Sequence, residues 1–203
     1  MKLIRPTIGS TTLALALLGC HGGSAPVVAP NPNGTTQAPT APVAVRTAPR
    51  GETAPVEVGG IAPGDTVVAV RRGEARVIIL RHGPPDRAEF VELTLPATVF
   101  ARASKDTVRV TLKPRPGVYG VELSADADWG PGAEIAFKYA VHFYPPADAV
   151  RMYRTLTEID RRLTVARREQ NGDLTIYLST RPAPDVLRAL IPGEGTWVMV
   201  VGK

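Results

Sequence analysis

Thr107-Val108-Arg109-Val110-Thr111-Leu112 alternates apolar and polar side chains with a period of two. In an extended chain this puts Val108, Val110 and Leu112 on one face and Arg109 and Thr111 on the other, as a strand with one buried face requires. The same texture spreads outward in both directions. Thr66-Val67-Val68-Ala69-Val70, Ala75-Arg76-Val77-Ile78-Ile79-Leu80 and Glu89-Phe90-Val91-Glu92-Leu93-Thr94-Leu95 precede it, and segments 117–124 and 134–144 follow it. In the last of these, Ile135, Phe137, Tyr139 and Val141 are expected to face inward, with Ala136, Lys138, Ala140 and His142 facing out or toward an edge. Short β-branched segments separated by turn residues predict an all-β fold, an antiparallel β-sandwich.

The pattern persists through the rest of the chain. Segments 163–169 and 173–180 flank Asn171-Gly172, a strong hairpin signal. Segments 186–191 and 196–201 flank Pro192-Gly193-Glu194-Gly195 and read as a second hairpin, with a helix over 184–190 as the competing reading. Val150, Tyr153, Leu156 and Ile159 recur near helical spacing and Asp148 is placed to cap, so 148–160 is either a short helix or an irregular crossover. The sandwich is expected over residues 59–203, with a possible sub-boundary near 146. A segment of that length buries roughly 70% of its unfolded surface, enough for a stable fold without metals or disulfides.

Residues 21–58 have a different composition. They hold seven prolines, no aromatic residue, and only Arg46, Arg50, Glu52 and Glu57 as charges. Such a stretch buries too little apolar surface to offset its ordering entropy, so 20–58 reads as a disordered, Pro-rich tether. Before it, Lys2 and Arg5 precede the apolar run Leu13-Ala14-Leu15-Ala16-Leu17-Leu18, which is too short to span a bilayer. Residues 1–19 therefore read as a signal peptide, to be left out of fold reasoning.

Leu17-Leu18-Gly19-Cys20 resembles the lipobox of bacterial lipoproteins, and Cys20 is the only thiol in the chain. That resemblance implies diacylglyceryl transfer to Cys20, cleavage before it, and a permanent membrane anchor through two or three acyl chains. His21, in place of the Asp that marks inner-membrane retention in that family, implies the outer membrane, with the domain in the periplasm or at the surface. The alternative is a signal peptide with an incidental cysteine.

Composition narrows the function classes further. With 44% hydrophobic and 21% charged residues the chain is globular. One cysteine excludes an internal disulfide framework and a Cys-ligated zinc cluster. Beyond the N-terminus no apolar run exceeds Trp197-Val198-Met199-Val200-Val201, so the body encodes no spanning helix. Removing Lys2 and Arg5 lowers the formal charge from +5 to +3, which argues against a nucleic-acid partner.

Leu93-Thr94-Leu95-Pro96, Val108-Arg109-Val110-Thr111-Leu112, Gly120-Val121-Glu122-Leu123-Ser124 and Pro131-Gly132-Ala133-Glu134-Ile135-Ala136-Phe137-Lys138-Tyr139 together resemble the strand pattern of ZU-five domains, over about 89–201. An immunoglobulin-like sandwich has nearly the same texture. Either resemblance implies an interaction module rather than an enzyme. Some ZU-five-type domains cleave themselves at His-Phe-Ser, but here His142-Phe143 is followed by Tyr144, which offers no such nucleophile.

No nucleophile elbow and no phosphate-binding glycine loop is present, and no catalytic residue is assigned. Asp126-Ala127-Asp128-Trp129-Gly130-Pro131-Gly132-Ala133-Glu134 is the most suggestive loop. Its carboxylates read as an acidic strand connection, with calcium as the alternative, although the spacing is not that of an EF-hand. Trp129, beside Gly and Pro, either anchors a partner or tucks onto its own sandwich. Asp126, Asp128 and Trp129 are thus the candidate binding residues, and a carbohydrate-binding or hydrolytic role through this loop is the alternative function. His82 reads as an exposed turn histidine, with an acid/base or metal pair with Asp86 as the alternative, and His142 as a surface or edge residue. Arg71-Arg72, Arg161-Arg162 and Arg167-Arg168 read as solvated faces. No metal or cofactor is expected. The partners expected are the membrane, through the lipid, and an envelope protein, which includes the possibility of an accessory subunit of a membrane complex.

Overall fold

A computed structural model describes residues 41–203, all within one compact unit. The signal peptide, Cys20 and the first half of the tether lie outside the described residues. The chain begins with β1 (Ala44–Ala48), a 3₁₀ turn (Arg50–Glu52), β2 (Thr53–Pro55) and β3 (Glu57–Val58). Next come β4 (Thr66–Arg71), β5 (Arg76–Arg81), β6 (Glu89–Leu95), β7 (Thr107–Pro114), β8 (Gly120–Ala125), β9 (Glu134–Lys138) and β10 (Phe143–Tyr144). Helices α1 (Ala147–Met152) and α2 (Leu156–Arg161) lead to β11 (Leu163–Arg168), β12 (Leu174–Tyr177), β13 (Ser179–Ala183), β14 (Val186–Leu190) and β15 (Gly195–Gly202).

The strands form an antiparallel sandwich. One sheet has the order β1-β12-β11-β15-β8-β7-β4, with β2 added to β15, and the other has β13-β14-β9-β6-β5. A third, two-stranded piece pairs β3 with β10. The inner faces supply the core: Val108, Val110 and Leu112 from β7 and Ile135 and Phe137 from β9 are fully buried, as the alternation predicts. Trp197 and Leu187 join them from the last two long strands.

Several expectations need correction. The tether does not run to residue 58. Residues 44–58 form β1 to β3, and Ala48 packs with Ala166, Leu174, Ile176, Val198 and Val200 in a second small core on the outer face of the larger sheet. Proline-rich chain is compatible with this because the segment lies at sheet margins, where few ladder donors are needed. Nor is there a boundary near 146, since β11, β12 and β15 insert between β1 and β8 in one sheet and share the main core with the earlier strands.

The 134–144 segment is two strands, broken where His142 adopts a left-handed backbone at φ 59. Ala136, expected outside, is only 2% exposed. Across the outer face around it, Lys138 pairs with Glu92 at 3.0 Å and Glu89 at 3.4 Å, and Arg188 pairs with Glu134 at 3.0 Å. These long side chains lie over the methyl and exclude water from it.

The Asn171-Gly172 turn does join a hairpin, β11 to β12, but the strand expected over 173–180 changes sheets at Leu178 to become β13. The second expected hairpin does not form. β14 pairs with β9 and β13 in the smaller sheet, while β15 pairs with β11 and β8 in the larger one. Within 184–190 there is a turn at 184–185 and then strand over Val186–Leu190 rather than helix, because those residues lie against β9 on one side and β13 on the other.

Residues 148–160 fall into two short helices. Thr155 caps α2, its hydroxyl accepting from the Glu158 N–H at 3.1 Å while the Glu158 carboxylate takes the Arg154 N–H at 2.8 Å. Asp148 does not cap α1; it lies in the first turn and pairs with Arg151 and Lys203.

Candidate functional site

The 126–134 loop was the strongest sequence candidate, and the structure divides its residues. Asp126 is engaged at the end of the β7–β8 ladder: its carboxylate accepts from Lys105 Nζ at 2.8 Å and from the Arg109 N–H at 2.8 Å. Those two contacts hold its carboxyl below the usual range. Asp126 is thus a brace for the loop rather than a free ligand. Glu134 lies instead on the outer face of the smaller sheet beside Arg188. The loop carboxylates do not converge, and among the described residues no group of three or more His, Cys, Asp and Glu side chains is placed to hold a metal ion.

Asp128 and Trp129 remain at the surface. Asp128 is exposed, and the Trp129 ring is half-buried with its edge toward Phe100, 5.4 Å between centroids. Two hollows meet at this pair. One, of about 560 Å³, extends toward Arg167, Gly193 and Glu194; the other, of about 910 Å³, extends along Thr98, Arg102 and Ser104. Among the described residues the buried Trp129 indole N–H has no hydrogen-bond partner. A polar group seated beside it would satisfy that donor.

Gly130 sets the path of this loop. Its N–H donates to the Val99 carbonyl at 2.6 Å, and a Cβ added here would stand 2.6 Å from the Thr98 carbonyl oxygen. That neighbour is backbone and cannot swing aside. Gly130→Ala is therefore expected to displace the loop and cost about 1–3 kcal/mol, the range for overpacking a close-fitted site. Denaturant unfolding measures the loss, and a changed indole emission reports the movement of Trp129; an unaltered midpoint and spectrum would contradict the close approach.

A second cluster was not legible in the sequence. His82 is not an exposed turn residue: it is 3% exposed, in the connection after β5. His142 lies beside it with ring centroids 4.8 Å apart, and Asp86 Oδ2 is 2.6 Å from His142 Nε2, between residues 56 apart in sequence. The pair with Asp86, the alternative reading of His82, is made instead by His142. On the far side His82 meets the edge of Phe90, which stacks on Tyr119. His82 Nδ1 is 3.3 Å from the Ile61 carbonyl. A carbonyl only accepts, so Nδ1 carries the proton and Nε2 presents a bare lone pair, buried with no partner among the described residues. Burial, the largest influence, pushes the His82 pKa below its ordinary value, and the nearby His142 acts in the same direction. The Ala88 N–H and the His142 ring hold the Asp86 carboxyl below its usual range.

Gly60 makes the cluster sterically feasible. A Cβ there would lie 2.8 Å from His142 Cε1, and its φ of +71 is one that other residues rarely adopt. No sequence signal links Gly60, His82 and His142; only the folding of three separate connections to one end of the sandwich brings them together.

No family model, curated protein or solved structure matches this chain.

Proposed function

We propose that this chain is a lipid-anchored bacterial envelope lipoprotein whose β-sandwich serves as a non-enzymatic binding or structural module. The observation that carries the reading is Leu17-Leu18-Gly19-Cys20, a lipobox-like motif directly after an apolar run, with the chain's one cysteine at its end. The resemblance to ZU-five and immunoglobulin-like modules, which act through binding, is in keeping with it. So is the state of the 126–134 loop: two-carboxylate hydrolysis needs a facing acid and base, and Asp126 is already committed to Lys105 and the Arg109 N–H. Within this reading, the hollows at Asp128 and Trp129 are the surface best shaped to take a ligand. A carbohydrate is the chemistry that a half-buried indole beside an exposed carboxylate suits best. The bilayer is one partner, through the acyl chains, and an envelope protein the other, the outer membrane being the proposed home.

The test is lipid labelling in a bacterial host. With labelled palmitate, the wild-type chain is expected to incorporate label and sediment with membranes, while Cys20→Ala loses the label and accumulates as unprocessed precursor. Each buried CH₂ contributes about 0.8 kcal/mol to anchoring, so loss of two or three chains is expected to abolish rather than weaken the lipid attachment. Equal labelling of wild type and variant would overturn the assignment.

A further inference from the structure

We propose that His82, His142 and Asp86 form an acid-sensitive latch, in which uptake of one proton at His82 Nε2 releases the β3–β10 pair and the Gly60-Ile61 connection from the end of the sandwich. This goes beyond the anchoring role and does not depend on it. The geometry supplies both parts of such a device: a buried base with nothing to receive its proton, and a small, separable structural unit held against it.

The base is His82. The groups facing it are few. The Ile61 carbonyl reaches it from the β3–β4 connection, the His142 ring from the β9–β10 loop, Asp86 from its own loop, and the Phe90 edge from β6. Arg81 and Glu89, which flank it on β5 and β6, are paired with each other at 2.7 Å, and Arg87 is exposed. None of these accepts a hydrogen bond from Nε2. Asp86, the one nearby anion, already holds His142 Nε2 and the Ala88 N–H. A proton added to Nε2 therefore creates a buried imidazolium whose charge is unsatisfied and whose near neighbour is a second imidazole.

The separable unit is the β3–β10 pair. It consists of only two residue pairs, Phe143 with Val58 and Tyr144 with Glu57. The one short tie to the β7–β8 turn that must open with it is the Glu57–Val118 bridge, with Val58 N–H on the Gly117 carbonyl at 3.1 Å. Gly59 N–H to the His142 carbonyl at 3.0 Å extends the pair, and Gly83 N–H to the Ile61 carbonyl at 2.9 Å ties its connection to that of His82. Opening this corner lets water reach Nε2 while leaving the long ladders of both sheets intact. Local openings of this kind cost less than global unfolding.

The sign follows from linkage. The folded His82 has a depressed pKa, so in the window from the ordinary histidine value near 6.5 downward the open form binds a proton that the closed form does not. The closed form is favoured above that window and loses ground as pH falls through it. The open fraction then rises by up to about tenfold per pH unit, the limit for one proton.

Hydrogen exchange of the full-length chain, corrected for intrinsic pH dependence, tests this between pH 7.5 and 5.5. Exchange at 57–61 and 141–144 is expected to accelerate about tenfold on acidification while β7, β8 and β15 stay protected. In His82→Leu that acceleration is expected to vanish. Retention of it in the variant, or its absence from wild type, overturns the proposal. Because the variant itself could fail to fold, the wild-type His82 ring resonance is followed in parallel. Its titration midpoint must lie below the ordinary value near 6.5, at the acid end of the rise in exchange; a ring that titrates while the corner stays closed also overturns the latch.

Discussion

A chain shortened to residues 59–203 is expected to lose most of its stability, although the composition of 21–58 suggests an expendable tether. The segment 44–58 supplies three strands and covers apolar surface on both sides of the larger sheet. Val56 is fully buried in the main core, where its N–H donates to the Met199 carbonyl at 3.0 Å and its carbonyl accepts the Tyr119 N–H at 2.9 Å. Ala48 and Ala54 are buried, and Leu174, Ile176, Val198 and Val200 share the second core with Ala48. Each large aliphatic side chain returned to water costs about 1.5–3 kcal/mol, and several are uncovered together, against a total stability on the order of 5–15 kcal/mol for a domain. The β3 half of the β3–β10 pair leaves as well. The shortened chain is expected to be unfolded or aggregated under conditions where a chain beginning at residue 41 gives a cooperative transition. Denaturant titration of both, followed by near-ultraviolet circular dichroism, decides the matter. Equal midpoints would mean that the strap only lies on the surface.

The error about this segment has a physical origin. Proline, glycine and an absence of aromatics describe what a segment is unable to bury by itself, and by that measure 21–58 is uniform. What orders 44–58 is the apolar outer face of β11, β12 and β15, made by residues more than a hundred positions away. Strands with one inward face, such as β7, were legible because their alternation is local and the pleat converts it directly into burial. The all-β sandwich was legible for the same reason. Pairing partners were less so: Pro192-Gly193-Glu194-Gly195 is compatible with a tight hairpin or with a crossing between sheets, and the choice is made by β9 and β11 competing for the flanking strands.

The candidate site divides along the same line. Trp129 was found because an aromatic between acidic residues and glycines stands out in any sequence. That Asp126 is committed to Lys105 required knowing where β7 ends. The histidine cluster left no local trace, since each of its members sits in an ordinary turn and acquires meaning only from the other two.

Trp197→Ala is expected to be the most damaging single substitution in the main core, by about 3–5 kcal/mol. Trp197 is fully buried at the start of β15 and is the largest of the fully buried side chains. Its ring meets Tyr177 edge-on at 5.0 Å, and its Nε1–H donates to the Gly193 carbonyl at 3.2 Å. That one side chain therefore links the core to the crossing between β14 and β15. Removing it leaves a cavity among residues that cannot collapse into it and leaves the Gly193 carbonyl without this donor. Trp197→Phe separates the two contributions: it keeps most of the ring volume and loses the hydrogen bond, so a loss of about 1–3 kcal/mol is expected. The consequence extends to the surface, because a Cβ at Gly193 would lie 3.1 Å from Trp129 Cβ, which makes the crossing one wall of the hollow at Asp128 and Trp129. If the crossing is fixed by Trp197, the phenylalanine variant changes the Trp129 emission, by then the only indole left, while the far end of the sandwich around His82 keeps its native exchange. A loss below 1 kcal/mol for the alanine variant in equilibrium unfolding, or an unchanged Trp129 spectrum, would show that the crossing is held by its backbone alone.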